Sequence, residues 1–564
     1  MAEYLQDPSL RLLVDFFRAK GLPALKEEDR REDWYQDWID YQAQHRLYAS
    51  LLSPKQYSSL GGRFDIRRLT RFLEAFAYFS PAHAYSLHVS FLGLFPILMS
   101  PNEALKQEAV ARLEGGGLFA FGVSEKAHGS DLLANEFTVT PGDSSGWMAD
   151  GSKYYIGNAN AACLISVLAR KGSAGPADTT KRSPLVFVAI RPGEAPALRN
   201  VRKIRTLGIR TAFVGEFEVR GHAFPETDVI AQGREAWDAF FGTVNFGKFF
   251  LGFGAIGICE HAFTEAVAHM RHRVLFGKPV GEMSHIRAAT AFAFARLTAM
   301  KLYAYRALDY LQASGDDERR YLLFGAVQKA KVSTEGVKVM GLLSECIGGR
   351  GFEAETYFES ALRDTQLIPG LEGSTHINFG LTAQFIDTYF TTPTREVPLP
   401  KSVTLDGIDP DENPYWFAAR DRNAKTVQFA HFLRAYEPLR SVANVRTFRK
   451  QVKAVRQFAD GGISSVNPTG DAGLLIAVGK CLATIAYGQL VAENCLAAKV
   501  APATVSLIFQ GLIEDLSAEA VKLSAIFPPG SPQRALLKGA VRFPRTSAAD
   551  LTSVSELIAL RHGT

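Results

Sequence analysis

The hydrophobic period of this chain changes twice, and those changes constrain its fold more than any other feature. Up to about residue 118, apolar and aromatic residues recur three and four apart, as in Leu12, Phe16 and Phe17 and again in Phe72, Phe76 and Phe79. That is the spacing of one face of a helix. Between 119 and 230 the pattern becomes short β-branched and aromatic runs at 136–140, 164–169, 185–190 and 213–219, the last alternating cleanly. Asp150 followed by Gly151, set between the runs 147–149 and 152–156, predicts a tight hairpin. From Ala231 the helical period returns: Leu297, Ala304, Leu308 and Leu311 share one face, as do Leu323, Val327, Ala330, Val337 and Met340. A proline-rich stretch over 391–414 precedes a last helical block. The chain therefore reads as mainly α with a central β domain. An N-terminal helical domain spans 1–118, a small antiparallel β domain 119–230, a helical bundle 231–395, and a linker plus C-terminal helical domain 396–564.

Composition narrows the function classes. At 564 residues the chain is too long for one compact core, and two to four domains are expected. A formal net charge of +5 is mild for this size, so it permits anionic ligands without pointing to nucleic acid. The cysteines, Cys163, Cys259, Cys346, Cys481 and Cys495, are scattered with no CxxC or Cys/His spacing. They read as reduced thiols of a cytoplasmic protein, with no metal site. The N-terminus lacks a basic and apolar leader pattern, and the last three residues are not a peroxisomal signal. The apolar runs at 240–258 and 472–492 contain Lys248 and Lys480, so they read as buried core helices and no membrane span is expected. The apolar helix predicted over 83–99 carries His83 and His88, read as core or edge residues.

One stretch concentrates chemistry. Residues 345–378 read ECIGGRGFEAETYFESALRDTQLIPGLEGSTHIN. Gly348, Gly349 and Gly351 follow a helical pattern, Arg363 and Asp364 come next, and eight residues on stands Glu372 beside Gly373 and two hydroxyls. Glycines at a helix end let backbone N–H groups approach something flat or anionic. A carboxylate next to glycine meets little crowding. This ordered set resembles the acyl-CoA dehydrogenase and oxidase flavoprotein family, in which Q-x-x-G-G-x-G binds FAD and a following E-G-T/S carries the base.

Further segments share the resemblance, which covers roughly 80–390. Phe121 to Asp131, FGVSEKAHGSD, is similar to the family loop T-E-P-x-A-G-S-D, with Ser124 for Thr and Gly129, Ser130 and Asp131 matching. Lys126 replaces the Pro, and His128 gives an H-G-S trio closer to the oxidases. Lys153 to Ala159, KYYIGNA, resembles K-x-W-I-T-N-G: Tyr155 stands for Trp, Asn158 matches, and Gly157 replaces a Thr whose hydroxyl reaches the flavin. Oxidases also tend to have Gly there. Arg273 to Pro279, RVLFGKP, matches R-x-x-F-G-x-P, whose Arg pairs with the FAD pyrophosphate, often of a neighbouring subunit. Asn245 and Lys248 occupy places that usually hold Asp and Arg; a snorkelling core lysine is the other reading of Lys248. Glu345 replaces the usual Gln.

The resemblance implies a helical–β–helical chain with an appended helical domain, and a reaction. Removing hydrogen from Cα and Cβ of an acyl thioester needs a base, a polarised carbonyl and a hydride acceptor, and amino-acid side chains do not accept hydride. A carboxylate becomes a better match to an α-proton in an apolar cleft, and Leu371, Ile368 and Phe352 suggest one around Glu372. By resemblance Glu372 is the base, and its backbone N–H helps grip the thioester carbonyl. Val123, Ser124, Gly129, Ser130, Tyr155, Ile156, Gly157, Arg273, Phe276, Glu345, Gly348, Gly349, Ser374 and His376 contact FAD; Ser130, Asn245, Lys248 and Gly373 contact substrate. The substrate is acyl-CoA or an acyl carrier protein thioester. The resemblance further implies an electron-transfer flavoprotein as acceptor, or O₂ in the oxidase alternative, and assembly as a homodimer or homotetramer. A basic run, Arg440, Arg446, Arg449, Lys450, Lys453 and Arg456, reads first as a solvated face. Its rival readings are a docking face for an acidic acyl carrier protein or an electron-transfer partner, an anionic membrane surface, and nucleic acid as in a flavin-bearing binder of the alkylation-response type, against the last of which the scarcity of stacking aromatics counts.

Overall fold

The computed structural model describes residues 6–142, 146–172, 185–402, 411–418, 427–463 and 471–562. The chain divides into two compact units, Met1–Phe250 with Asp411–Arg422 and Leu251–Pro410 with Asn423–Thr564.

The first unit opens with six helices: α1 (Pro8–Arg31), α2 (Gln36–Gln44), α3 (Leu47–Leu52), α4 (Ile66–Phe79), α5 (Pro81–Leu98) and α6 (Glu103–Glu114). Several starts are fixed by short polar residues. Asp7, Asp65, Ser80 and Asn102 each accept a backbone N–H from the following turn. Helix α5 is apolar nearly all round because it is buried nearly all round.

The sheet comes next in the chain: β1 (Leu118–Gly122), β2 (Thr138–Pro141), β3 (Gly146–Gly157), β4 (Ala162–Lys171), β5 (Leu185–Ile190), β6 (Leu198–Lys203), β7 (Val214–Pro225) and β8 (Val229–Gln232). Its order is β6-β7-β3-β2-β4-β5-β8, with β1 paired to β4. Phe137, Val139, Ile156, Val167, Val188, Phe217 and Val219 form its core. Helix α5 is tied to it by polar bonds: Ser166 Oγ donates to Gly93 O at 2.6 Å, and Phe119 N donates to Ser90 Oγ at 3.3 Å.

The mainly α fold with a central β region stands, with two corrections inside the sheet. It is mixed rather than wholly antiparallel, since β1 and β2 both run parallel to β4. The expected hairpin at Asp150 and Gly151 is also absent, and β3 runs straight through it. Gly151 (φ 147°) sits at a bulge in the pairing of β3 with β7, and a Cβ there would lie 2.8 Å from the backbone of Phe137. The glycine answers a close approach and a bulge, not a chain reversal.

Helix α7 (Gly233–His272) carries the boundary between the units. The second unit continues with the small hairpin β9 (Val274–Leu275) and β10 (Lys278–Pro279), then α8 (Ser284–Gln312), α9 (Tyr321–Val327), α10 (Ser333–Ile347), α11 (Tyr357–Leu367), α12 (Thr375–Ala383) and α13 (Ile386–Phe390). After the proline-rich stretch, of which 403–410 lies outside the described residues, come α14 (Ala443–Phe458), α15 (Ala472–Ala497), α16 (Pro502–Ile526), α17 (Pro532–Lys538) and α18 (Ala548–Arg561).

The later helices are bound into the bundle by buried charges. Lys331 bridges Glu335 at 2.9 Å and Asp515 of α16 at 2.7 Å, and Arg296 of α8 meets the same two carboxylates at 2.6 and 3.2 Å. A network of this kind contributes fold specificity more than net stability, and losing one member leaves buried charge behind. Helices α7 and α15 are long and apolar enough to cross a membrane by length and composition, and 78% of each such window is buried inside the protein.

Candidate active site

In the first unit, the predicted site residues fall in a loop and a strand. Ser124 Oγ donates to Tyr154 O at 2.6 Å, and Tyr154 N donates to Ser124 O at 2.9 Å. The segment after β1 is therefore stitched to β3. Beneath the stitch lies a pair that joins the two motifs, Glu125 of the loop and Lys153 of β3. Lys153, fully buried, donates through Nζ to Glu125 Oε1 at 2.8 Å, Val123 O at 3.0 Å and Asn135 Oδ1 at 3.2 Å. Glu125 also accepts from Glu136 N at 2.7 Å and Phe137 N at 2.9 Å. Burial brings the Lys153 ammonium down to about 8, with the Glu125 charge and hydrogen bond opposing that shift.

With its base anchored, the loop tip is free to present backbone. Gly129, Ser130 and Asp131 are exposed. His128 closes the turn internally: its backbone exchanges hydrogen bonds with Glu125, and Nδ1 lies 2.9 Å from Asp131 Oδ2. That carboxylate raises the imidazole above its usual range.

On β3, Tyr155 has a left-handed backbone (φ 64°) and a 60% exposed ring, while Ile156 is buried in the sheet. Val123 is buried as well, so contacts from Val123 and Ile156 to any ligand run through the backbone. Asn158 is structural: its buried Nδ2 donates to Ser86 O at 2.9 Å and Phe119 O at 3.1 Å. Gly157 has an internal reason to be glycine, since a Cβ there would sit 2.7 Å from both Tyr85 Cε1 and Val89 Cγ2 of α5. In α7, Lys248 does not snorkel outward. It is buried and donates to buried Asn245 Oδ1 at 3.2 Å.

In the second unit, the candidate carboxylate sits in the turn after α11. Helix α11 runs into a 3₁₀ turn, Ile368–Gly370, and the chain then leaves through Leu371 (ψ 152°) into Glu372 (φ 48°) and Gly373 (φ 79°). A left-handed glutamate is uncommon backbone, of the sort held at functional turns by its surroundings. Asn378 Nδ2 holds the far side, donating to Gly373 O and Ser374 O, each at 3.1 Å. Glu372 is half-buried with Oε2 shielded from solvent, beside buried Ile368 and half-buried Leu371. Phe352 does not wall it in this chain, being 81% exposed in the turn that ends α10. Ser374 is half-buried, while His376 and Glu345 are exposed.

Two further places in this unit hold predicted site residues. Gly348 (φ 64°, ψ −145°) needs glycine for its conformation, but a Cβ on Gly349 would meet nothing within 4 Å. No described residue crowds that second glycine, and bare backbone suits close approach from outside. The β9–β10 hairpin turns through Phe276 (φ 51°) and Gly277 (φ 79°) and leaves Phe276 94% exposed. Next to it Arg273 is exposed and has no carboxylate partner among the described residues.

The basic run on α14 is in part internally neutralised: Arg440 and Arg449 pair with Glu437, and Arg456 with Asp460 at 3.2 Å. That is the pattern of a solvated face.

The chain thus combines a helical block, a mixed sheet with a stitched loop, and a helical bundle with a left-handed glutamate in the turn after α11. Residues 120–221 match the family described as acyl-CoA dehydrogenase, middle domain, and residues 236–386 match acyl-CoA dehydrogenase, C-terminal domain. The chain belongs to the acyl-CoA dehydrogenase family and is an oxidoreductase acting on acyl-CoA.

Among relatives, cyclohex-1-ene-1-carbonyl-CoA dehydrogenase of Geobacter metallireducens is 25% identical over 338 residues, 59% of this chain and 86% of that protein. The short-chain specific acyl-CoA dehydrogenase of Megasphaera elsdenii is 24% identical over 381 residues, 67% of this chain and 97% of that protein. An acyl-CoA dehydrogenase from Bacillus anthracis, solved with FAD, superposes with a TM-score of 0.73 at 17% identity, covering 96% of this chain and 94% of that one. The last match extends the shared fold across the C-terminal helices.

FAD fits the residues present. Within the second unit, the bare backbone at Gly348 and Gly349 and the exposed Arg273 offer N–H donors and a cation of the kind that bind its phosphates, and within the first unit Tyr155 presents an exposed ring.

Proposed function

We propose that this FAD-dependent acyl-CoA dehydrogenase desaturates an acyl thioester between Cα and Cβ to the trans-2-enoyl form, with Glu372 as the base. The observation that carries this reading is the turn itself: a glutamate in left-handed backbone, one oxygen shielded, next to a glycine and clamped by Asn378. Strain of that kind persists where a side chain must be aimed.

Glu372 takes the α-proton, and its backbone N–H donates to the thioester carbonyl, where charge develops. Gly373 leaves room for the thioester beside the carboxylate. Bound FAD supplies the acceptor for the β-hydrogen as hydride. Backbone at Val123, Ile156 and Gly157 and the exposed Gly129 and Ser130 orient the flavin and the thioester end. Arg273 pairs with the pyrophosphate, reaching a neighbouring copy of the chain in a homodimer or homotetramer, and Gly348 and Gly349 admit the cofactor's far end, with Glu345, Ser374 and His376 at its edge. The enzyme works in the cytoplasm without spanning a membrane, and reduced enzyme hands its electrons to an electron-transfer flavoprotein.

The two sequence features that favour an oxidase have internal explanations. Gly157 makes room for Tyr85 and Val89, and His128 closes its own loop against Asp131. The test is spectroscopic. Under anaerobic conditions an acyl-CoA bleaches the flavin, and in air without an added acceptor peroxide forms far more slowly than enoyl-CoA forms with one. Fast peroxide formation overturns the choice of acceptor; failure of acyl-CoAs of graded chain length to bleach the flavin overturns the reaction.

A further inference from the structure

We propose that Lys329 is a positioning residue for the base, its buried ammonium fixing the turn that carries Glu372; this rests on the reading of Glu372 above. Lys329 is 0% exposed, in a run otherwise apolar on its Val327 and Ala330 side. A fully buried ammonium carries a large desolvation cost and persists only where acceptors meet it. Its acceptor here is specific: Nζ donates to Pro369 O at 2.5 Å.

Two features of the backbone make that bond possible. Lys329 lies in a π-turn, Gln328–Val332, inserted between α9 and α10. One extra residue in a helix rotates the succeeding turns by about 100°, and such turns concentrate at functional sites. Pro369 lies in the 3₁₀ turn that prolongs α11, where the last carbonyls lack helical donors and the negative end of the helix dipole favours a cation. Lys329 therefore caps this helical run and ends it. Three residues later the chain stands in left-handed backbone at Glu372, and Asn378 takes the carbonyls of Gly373 and Ser374. The base turn is thus gripped on both sides by side chains from outside it. A plain cap would need only stability; a cap three residues before a strained glutamate also sets where the carboxylate points.

The test separates proton abstraction from oxidation. Phenylacetyl-CoA has α-hydrogens but no β-hydrogen to surrender, so exchange of its α-hydrogens in D₂O, read by mass spectrometry, reports the base alone. Holoenzyme carrying Lys329→Met, which keeps the stem volume, and separately Lys329→Gln is compared with wild type and Glu372→Gln. FAD content, thermal midpoint and Kd for phenylacetyl-CoA are measured in parallel. The expected result is exchange slowed about tenfold or more in both Lys329 variants, the size of effect that a small misplacement produces, with FAD content and Kd unchanged. Exchange lost in Glu372→Gln but untouched in both Lys329 variants overturns this inference alone. Slowing that only tracks weaker ligand binding or lost flavin reduces Lys329 to a structural cap and also overturns it. Exchange that survives Glu372→Gln overturns the base assignment, and this inference with it.

Discussion

Lys153 Nζ and Glu125 Oε1 stand 2.8 Å apart with both side chains buried, and this pair holds the loop 123–131 against β3. Glu125 also takes the backbone N–H groups of residues 136 and 137, so one carboxylate ties together the loop, the start of β2 and β3. Removing one partner of such a pair strands the other. Lys153→Met is expected to cost about 3–5 kcal/mol in urea unfolding, while pairing it with Glu125→Leu costs less than the two single changes summed. A loss below about 1 kcal/mol, the value of an exposed pair, would show that the pair does not organise the loop.

The same lysine gives a pH signature. Its ammonium falls from 10.5 to about 8 in the folded protein. Between those values the unfolded chain holds a proton that the native chain has released, so this group makes stability rise with pH across that window. The slope of unfolding free energy against pH from 8 to 10 should be more positive in wild type than in Lys153→Met. Equal slopes, or a smaller one in wild type, would contradict it.

Gly157 should tolerate no side chain while α5 keeps its place. Gly157→Ala is expected to destabilise by about 1–3 kcal/mol through overpacking, and Val89→Ala in the same chain should recover part of that loss. Calorimetry on the single and double variants checks it. An alanine accepted without cost would reopen the reading in which this glycine marks oxygen chemistry.

Helix α12 begins three residues after Glu372, and α15 lies against its backbone: a Cβ on Gly479 would overlap Phe379 O. Gly479→Ala should therefore lower turnover as well as stability, by about 1–3 kcal/mol for the latter. If turnover per folded, flavin-loaded molecule were unchanged, the C-terminal helices would have no bearing on the base.

Much of the fold is readable from the chain. The helix-to-strand change near residue 118 lies in the hydrophobic period, and β5 occupies 185–190 as the pattern predicts, because a β-branched and aromatic run of that length suits a strand buried on both faces. Strand partners are another matter. That β1 and β2 run parallel to β4 depends on contacts between distant segments, and the Asp150 and Gly151 signal is purely local, so it mistakes a bulge for a turn. The site divides in the same way. Glu372, Gly348 and Gly349 announce themselves by glycine and spacing. Lys329 does not, and the motifs that contain Glu125, Lys153 and Asn378 do not tell what those side chains hold, because a charged or amide side chain reads as surface until its buried partner is known. Lys248 shows the converse: an outward-reaching lysine is one reading of its sequence context, and its partner is the buried Asn245 one turn away.

The proposed chemistry depends on one carboxylate, and replacing a single oxygen tests it. Glu372→Gln enzyme, purified yellow and with FAD content equal to wild type, is mixed anaerobically with an acyl-CoA that bleaches the wild-type flavin. The predicted result is tight binding with flavin reduction slowed about 10³-fold or more, the scale on which loss of an acid–base group acts. Reduction at the wild-type rate would contradict the central claim.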